Sequence, residues 1–374
     1  MVQKERLINE FNKLISFDSE SFKELDISLY LLNKLKELGL DVEIDDAGHI
    51  LNDNPKATGN IYGYLKGNIP GKGIILSAHM DTVSPGINKK AIIDGNLVSS
   101  YGDAVLGADD VTGIVSILEA LTVIKDNNLP HPDIEVVFFV AEEPYCRGSS
   151  VFDFKKLKGK YAYVFDLSGK VGSAAISAPS IISLKITING ISAHAGFEPE
   201  KGVSAIVLMS NAISKLKLGR IDENTTINIG TIHGGLGKNI VPNKVVAEGE
   251  IRGLYNDKIK ELIENIEVII KEETNKYGVS YELDFEEKIA AYDIRQDSYV
   301  IKRFRDTLKS LGYGEATLVS TFGGSDNNSF NKHGIEGIVV ANAMNDVHTT
   351  HEYFEIDEFI KSAKIALSLM TKEE

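Results

Sequence analysis

The chain has a single cysteine, Cys146, among 374 residues, so no intrachain disulfide can form and a disulfide-stapled secreted scaffold is excluded. A reducing cytoplasm is the expected setting. Long apolar runs are also missing, since none reaches the roughly 18 residues that a membrane span needs. The opening MVQKERLINEFNKLISFDSES has neither the uninterrupted apolar stretch nor the small-residue cleavage site of a secretory signal, and reads as a helix. Basic stripes are absent as well: nothing exceeds pairs such as Lys155 and Lys156, and 40 basic side chains face 54 acidic ones, a net charge of −14. Little is available to neutralise phosphates, so the expected partners include neither nucleic acid nor membrane. Neither G-x-G-x-x-G nor G-x-S-x-G occurs, which places nucleotide-binding enzymes and serine hydrolases low.

What is present is core material: 43% of residues are hydrophobic, and the length suggests two domains at roughly 150 residues each. Apolar positions at three-and-four spacing predict helices over 4–16 and 23–39. Short β-rich runs at 60–65, 73–77, 134–140 and 161–165 then alternate with a helix at 112–124 and another expected at 149–158, the pattern of an α/β core. From about 181 the order becomes strand, helix, two strands, helix, strand, the βαββαβ signature of a ferredoxin-like unit. After Asp293 the α/β alternation resumes, ending in a helix at 357–370. The chain therefore reads as one split domain, 1–178 with 288–374, into which a second, 179–287, is inserted.

Polar residues gather where the apolar strands stop. In IILSAHMDT, His79 and Asp81 follow a strand two residues apart, an imidazole able to bind a metal and a carboxylate able to hold its ring. In GADDVTG, Asp109 and Asp110 precede a helix; capping explains them without a metal, and capping and coordination are compatible. IEVVFFV ends in Ala141, Glu142 and Glu143, where one carboxylate can bind a metal while its neighbour accepts a proton from water. YAYVF ends in Asp166. NDVHTTHEYF carries His348, His351 and Glu352, and spacing alone does not rank the two histidines. Together, His, Asp, Glu, Asp and His form a mixed nitrogen and oxygen donor set suited to zinc, manganese or cobalt.

From SAHMDT through GADDVTG, AEEPYCRGS, YVFDLSG, SAHAG and GGLGKNIVP to VHTTHE, the chain resembles the M20 metallopeptidases, above all their peptidase T-like branch, in family order over nearly its whole length. The resemblance implies a zinc-exopeptidase-like α/β catalytic domain with an inserted ferredoxin-like lid domain. It also implies two divalent ions, most simply Zn²⁺ with Co²⁺ or Mn²⁺ as substitutes. His79 and Asp166 would bind one, Glu143 and His348 the other, and Asp109 would bridge them across a cis Asp109–Asp110 peptide. His348 is preferred to His351 because the family spacing from ligand to Glu matches His348 to Glu352. Glu142 becomes the general base acting on a metal-bridging water, with Asp81 as the second catalytic residue. His194 matches the lid histidine that polarises the scissile carbonyl. Asn239 and Arg252 match positions that hold the substrate, and Gly324 and Ser325 lie in a segment near the substrate carboxylate, although Ser325 also reads as a plain helix cap.

The chain departs from the family at Tyr145, where Gly is usual, at Val111, where Lys is usual, and at Ala141, where Asp is common. The implied activity is a cytoplasmic exopeptidase releasing the N-terminal residue of short peptides, tripeptides first, as a monomer or a lid-mediated homodimer. A hydrolase of dipeptides or N-acyl amino acids, or an idle peptide-binding relative, is the alternative.

Overall fold

The computed structural model describes residues 1–52 and 56–371. Two compact units divide the chain: Met1–Ser177 together with the chain from Asp293, and Ala178–Tyr292. The inserted unit thus runs past the expected 287, because the strand Tyr281–Ile289 crosses that point.

Four parallel strands form the middle of the first unit's sheet, in the order Ile134–Phe139, Ile74–His79, Tyr161–Leu167, Glu336–Ala341. Antiparallel strands Ile61–Leu65 and Asp41–Ile44 extend one side, and Ser173–Ala178 the other. Ile74–His79 and Ile134–Phe139 are buried at every position, as a parallel sheet covered on both faces requires. Alternate residues serve opposite cores. Leu76, Val136, Phe138, Tyr163 and Phe165 join the side containing Ile114, Leu118 and Phe359. Ile75, Val137, Phe139 and Val164 join the side of Phe152, Phe154 and Phe330. Because all four strands point the same way, their carboxyl ends share one edge, where an open α/β sheet binds ligands.

The helix expected over 149–158 is interrupted. Arg147–Val151 is helical and Phe154–Lys156 forms a 3₁₀ turn, with Phe152 extended between them. Phe152 and Phe154 are both buried with ring centroids 5.1 Å apart, and side chains two apart reach one core from an extended segment but not from a helix. Sequence reading also misses a small sheet: the hairpin Ala91–Asp94 and Leu97–Ser100, turning at Gly95 with φ 60°, pairs with Tyr353–Glu355. This pairing anchors the segment that carries His348.

The second unit has the order Thr225–Gly234, Lys244–Gly253, Ser180–Asn189, Tyr281–Ile289, antiparallel throughout, with Gly219–Asp222 added beside the first. Helices Ala205–Lys215 and Asn256–Asn275 share one core with Ile182, Leu184, Ile186 and Ile188, alternate residues of a central strand. The inserted unit is ferredoxin-like. Among the described residues no helix is long and apolar enough to cross a membrane.

Candidate metal centre

His79 is the last residue of its strand and Asp166 the last but one of the neighbouring strand. Glu142 and Glu143 follow Ile134–Phe139, and Asp109, itself non-helical with ψ 102°, lies at the entrance of the segment Ala108–Asn127. His348 enters from the loop before Tyr353–Glu355, its φ of 63° turning the chain back toward the sheet. Parallel register and short connections therefore bring five distant positions to one edge.

Asp109 lies between two imidazoles. Its Oδ1 is 3.0 Å from His79 Nε2 and its Oδ2 is 3.2 Å from His348 Nε2. His79 Nε2 is also 3.8 Å from Asp166 Oδ1, and His348 Nε2 is 3.0 Å from Glu143 Oε2. Donor atoms of His79, Asp109 and Glu143 lie within 4.8 Å of one another, as do those of His79, Glu142 and Asp166. The Asp109–Asp110 peptide is cis.

The electrostatics are those of crowded carboxylates. Burial pushes the Glu142 carboxyl well above its usual range, and the charge of Asp166 adds to this. Asp166 is raised in the same way, by burial and then by Asp109. Burial opposes ionisation of Asp109, yet hydrogen bonds from His348 and His79 hold it well below the usual carboxylate range. Hydrogen bonds to Asp109 and Glu143 push His348 up to about 10. Glu143 Oε1 is buried without a hydrogen-bond partner. More negative charge is gathered here than two imidazoles neutralise, and a donor oxygen is left over, so the residues fit divalent cations.

Around these donors, carboxylates hold backbone amides. His79 Nδ1 sits 2.9 Å from the Asp81 carbonyl oxygen and 3.4 Å from the carboxylate that was expected to steady the ring. That carboxylate accepts the Glu142 N–H at 2.9 Å, the Glu143 N–H at 3.2 Å and the Ser21 hydroxyl at 2.7 Å. Asp110 accepts the His79 N–H at 3.1 Å and the Asn342 side-chain amide at 2.5 Å. Glu352 accepts the Gly107 N–H at 2.7 Å and the Asp109 N–H at 2.8 Å. Asn342 and the clamp made by Glu352 were missed in the sequence, where no spacing relates such partners.

Gly324 and Ser325 precede the helix Asp326–Lys332, where Asn328 accepts the Ser325 N–H at 3.0 Å. His194, Asn239 and Arg252 belong to the second unit. There the Ala195 N–H donates to the Asn239 carbonyl at 3.0 Å, joining two of the predicted segments. The His194 ring is exposed and accepts from the amides of Gly196 and Phe197, each at 3.2 Å. Arg252 donates to Glu250 at 2.7 Å.

Residues 176–278 match the peptidase dimerisation domain, and residues 60–179 match peptidase family M28. An uncharacterized Bacillus subtilis protein, YqjE, is 35% identical over 370 residues, 99% of each chain. Aminopeptidase PepT from Bacillus cereus has a similar structure, with TM-score 0.91, 33% identity and coverage of 99% of this chain and 98% of that one. A tripeptidase from Staphylococcus aureus superposes with TM-score 0.93 at 33% identity, again covering 99% and 98%.

Proposed function

The chain belongs to the M20 family of metallopeptidases, among its peptidase T-like exopeptidases, and on that premise we propose that it is a dinuclear aminopeptidase that releases the N-terminal residue of tripeptides. The observation that carries the metal assignment is the position of Asp109 between His79 and His348, with Asp166 beside one imidazole and Glu143 beside the other. His79 and Asp166 would hold one ion, Glu143 and His348 the second, and Asp109 both. Bound there, two divalent cations lower the pKa of a water and stabilise the charge that develops on the scissile carbonyl oxygen. Imidazole and carboxylate donors favour zinc, with cobalt or manganese as substitutes.

Glu142 is left to move the proton. Its carboxylate takes one from the attacking water as the C–O bond forms and gives it to the amine nitrogen as the C–N bond breaks. Asp81 acts through the backbone, fixing the amides of Glu142 and Glu143. We assign His194 to the scissile carbonyl, and Asn239, Arg252, Gly324 and Ser325 to substrate binding, Arg252 through a carboxylate. That the two solved relatives are an aminopeptidase and a tripeptidase supports the peptide class. The dimerisation-domain match over residues 176–278 supports pairing of two copies, and the low cysteine content a cytoplasmic setting.

The test uses zinc-loaded protein and a panel of di-, tri- and tetrapeptides with free or acetylated N-termini. Free tripeptides should be cleaved fastest, and preference for acetylated substrates overturns the aminopeptidase assignment. Glu142→Ala should keep both ions and lose turnover. Equal loss of metal and activity contradicts its role as base.

A further inference from the structure

Beyond the strand Ile134–Phe139, four successive backbone amides donate to side-chain oxygens rather than to a neighbouring strand. Val140 N–H meets Asn60 Oδ1 at 3.1 Å, and Ala141 N–H meets Glu24 Oε1 at 3.0 Å. Glu142 and Glu143 donate to the two carboxylate oxygens of Asp81. The acceptors come from three separate parts of the chain, and Glu24, Asn60 and Asp81 are all buried. Such a row lets the chain leave the sheet without unpaired buried N–H groups while the peptide planes turn.

The turn itself is left-handed. Ala141 has φ 47°, and Tyr145 and Cys146 have φ 71° and 51°. Non-glycine residues resist that conformation, so surrounding contacts must impose it. The Arg147 N–H returns to the Ala141 carbonyl at 2.8 Å, closing the turn from the other side. Glu24 Oε1 takes a second amide, that of Phe22, at 2.9 Å, and Phe22 is also left-handed with φ 67°. One oxygen thus ties two strained segments together. The other, Oε2, is buried without a hydrogen-bond partner. Burying a carboxyl at that cost is unfavourable when packing is the only purpose, because an apolar side chain fills the same space without it.

We propose that Glu24 is a positioning residue of the peptidase reaction: by accepting the Ala141 N–H it holds the left-handed turn that aims the Glu142 carboxylate. The proposal rests on the reading of Glu142 as base. Its test therefore includes a reporter that needs no turnover. Cys146, the only cysteine, is buried in the same turn with Sγ 3.2 Å from Glu142 Oε1, so its reaction with a thiol reagent reads the turn directly.

Three variants separate the causes. Glu24→Gln keeps an oxygen of the same reach, Glu24→Asp withdraws it by one methylene, and Glu24→Met fills the space without an acceptor. Glu24→Gln should stay within about threefold of the parent in kcat and in Cys146 labelling rate, since only the acceptor matters. Glu24→Met and Glu24→Asp should lose about tenfold or more in kcat, with KM within about threefold and both ions retained, and should label Cys146 at least about tenfold faster. If Glu24→Met does not fold, Glu24→Asp decides. Parent-like kcat and parent-like Cys146 protection in the withdrawn or acceptor-free variants overturn the proposal. So does a Glu24→Gln protein as impaired as the others, or an activity loss that only tracks loss of metal or of folded protein. If the parent protein cleaves no peptide, the peptidase reading fails, and Cys146 labelling still decides whether Glu24 holds the turn.

Discussion

Glu352→Ala tests how far the metal centre depends on its backbone clamps. Glu352 is 1% exposed, and its two oxygens accept the amides of Gly107 and Asp109 at 2.7 and 2.8 Å. Truncation leaves two buried donors without a charged acceptor. At about 1–3 kcal/mol for each unsatisfied group, the total is about 2–6 kcal/mol, divided between folding and site geometry. Asp109 contacts both imidazoles, so movement of its backbone disturbs both proposed ion positions together. If half of the middle of that range, about 2 kcal/mol, falls on the site, affinity drops about thirtyfold, within the range of about 10–100-fold seen for partners that orient ligands. The assay is competition for zinc between a chelator and the protein, with denaturant unfolding run in parallel. Glu352→Gln keeps one carbonyl oxygen and should show a smaller loss. A Glu352→Ala protein that binds both ions with parent affinity, whatever its stability, refutes the reasoning.

His79→Ala and Asp109→Ala should each lower the bound metal measured by elemental analysis, and unchanged stoichiometry in both counts against the site. Gly113→Ala places a methyl group against the Phe165 carbonyl oxygen and the Asp110 carboxylate, so thermal unfolding should show a loss of about 1–3 kcal/mol, and an unchanged midpoint contradicts this. Lys89 is buried, donates to the carbonyls of Phe17 and Gly86 at 2.9 and 3.0 Å, and is pushed down to about 8 by that burial. Between there and its unfolded value of about 10.4 the unfolded chain holds more protons, so this lysine makes stability rise with pH by up to about 1.4 kcal/mol per unit, a gain lost as pH falls through about 8. Lys89→Met should abolish that slope in denaturant unfolding, and an unaltered slope assigns it elsewhere.

The strand ends were the legible part of the sequence. An apolar run that stops at His79, Glu142 or Asp166 shows both the strand and the edge at which it ends, and family order ties the runs together. The choice between His348 and His351 was not local. Both histidines are exposed, and His348 turns left-handed and meets Asp109 and Glu143. The clamps left no pattern, because Glu352 and Gly107 are 245 residues apart and the partner is a backbone amide, which every residue but proline has. Tyr145 is explained only by its dihedral angle: φ 71° is where glycine is usual, and this chain holds a tyrosine there. The hairpin had a local signal, the two-residue loop Gly95–Asn96 between its strands.

Why use carboxylates as clamps beside a centre already rich in them? Adding Asp81, Asp110 and Glu352 raises the repulsion: burial and then the Asp166 charge push Asp110 well above its usual range, and burial lifts Glu352 to about 7. A neutral acceptor such as Asn60 carries no such cost and already serves one amide. A carboxylate, however, offers two equivalent oxygens, and Asp81 and Glu352 each use both on amides one or two residues apart. An amide side chain offers one oxygen, and its NH₂ group would face the second N–H. Bidentate capture fixes the orientation of a short backbone segment as well as its position, which a donor set shared between two ions needs. The accumulated charge then disfavours the apo protein and favours the loaded one, so ion binding adds to folding stability instead of only following it.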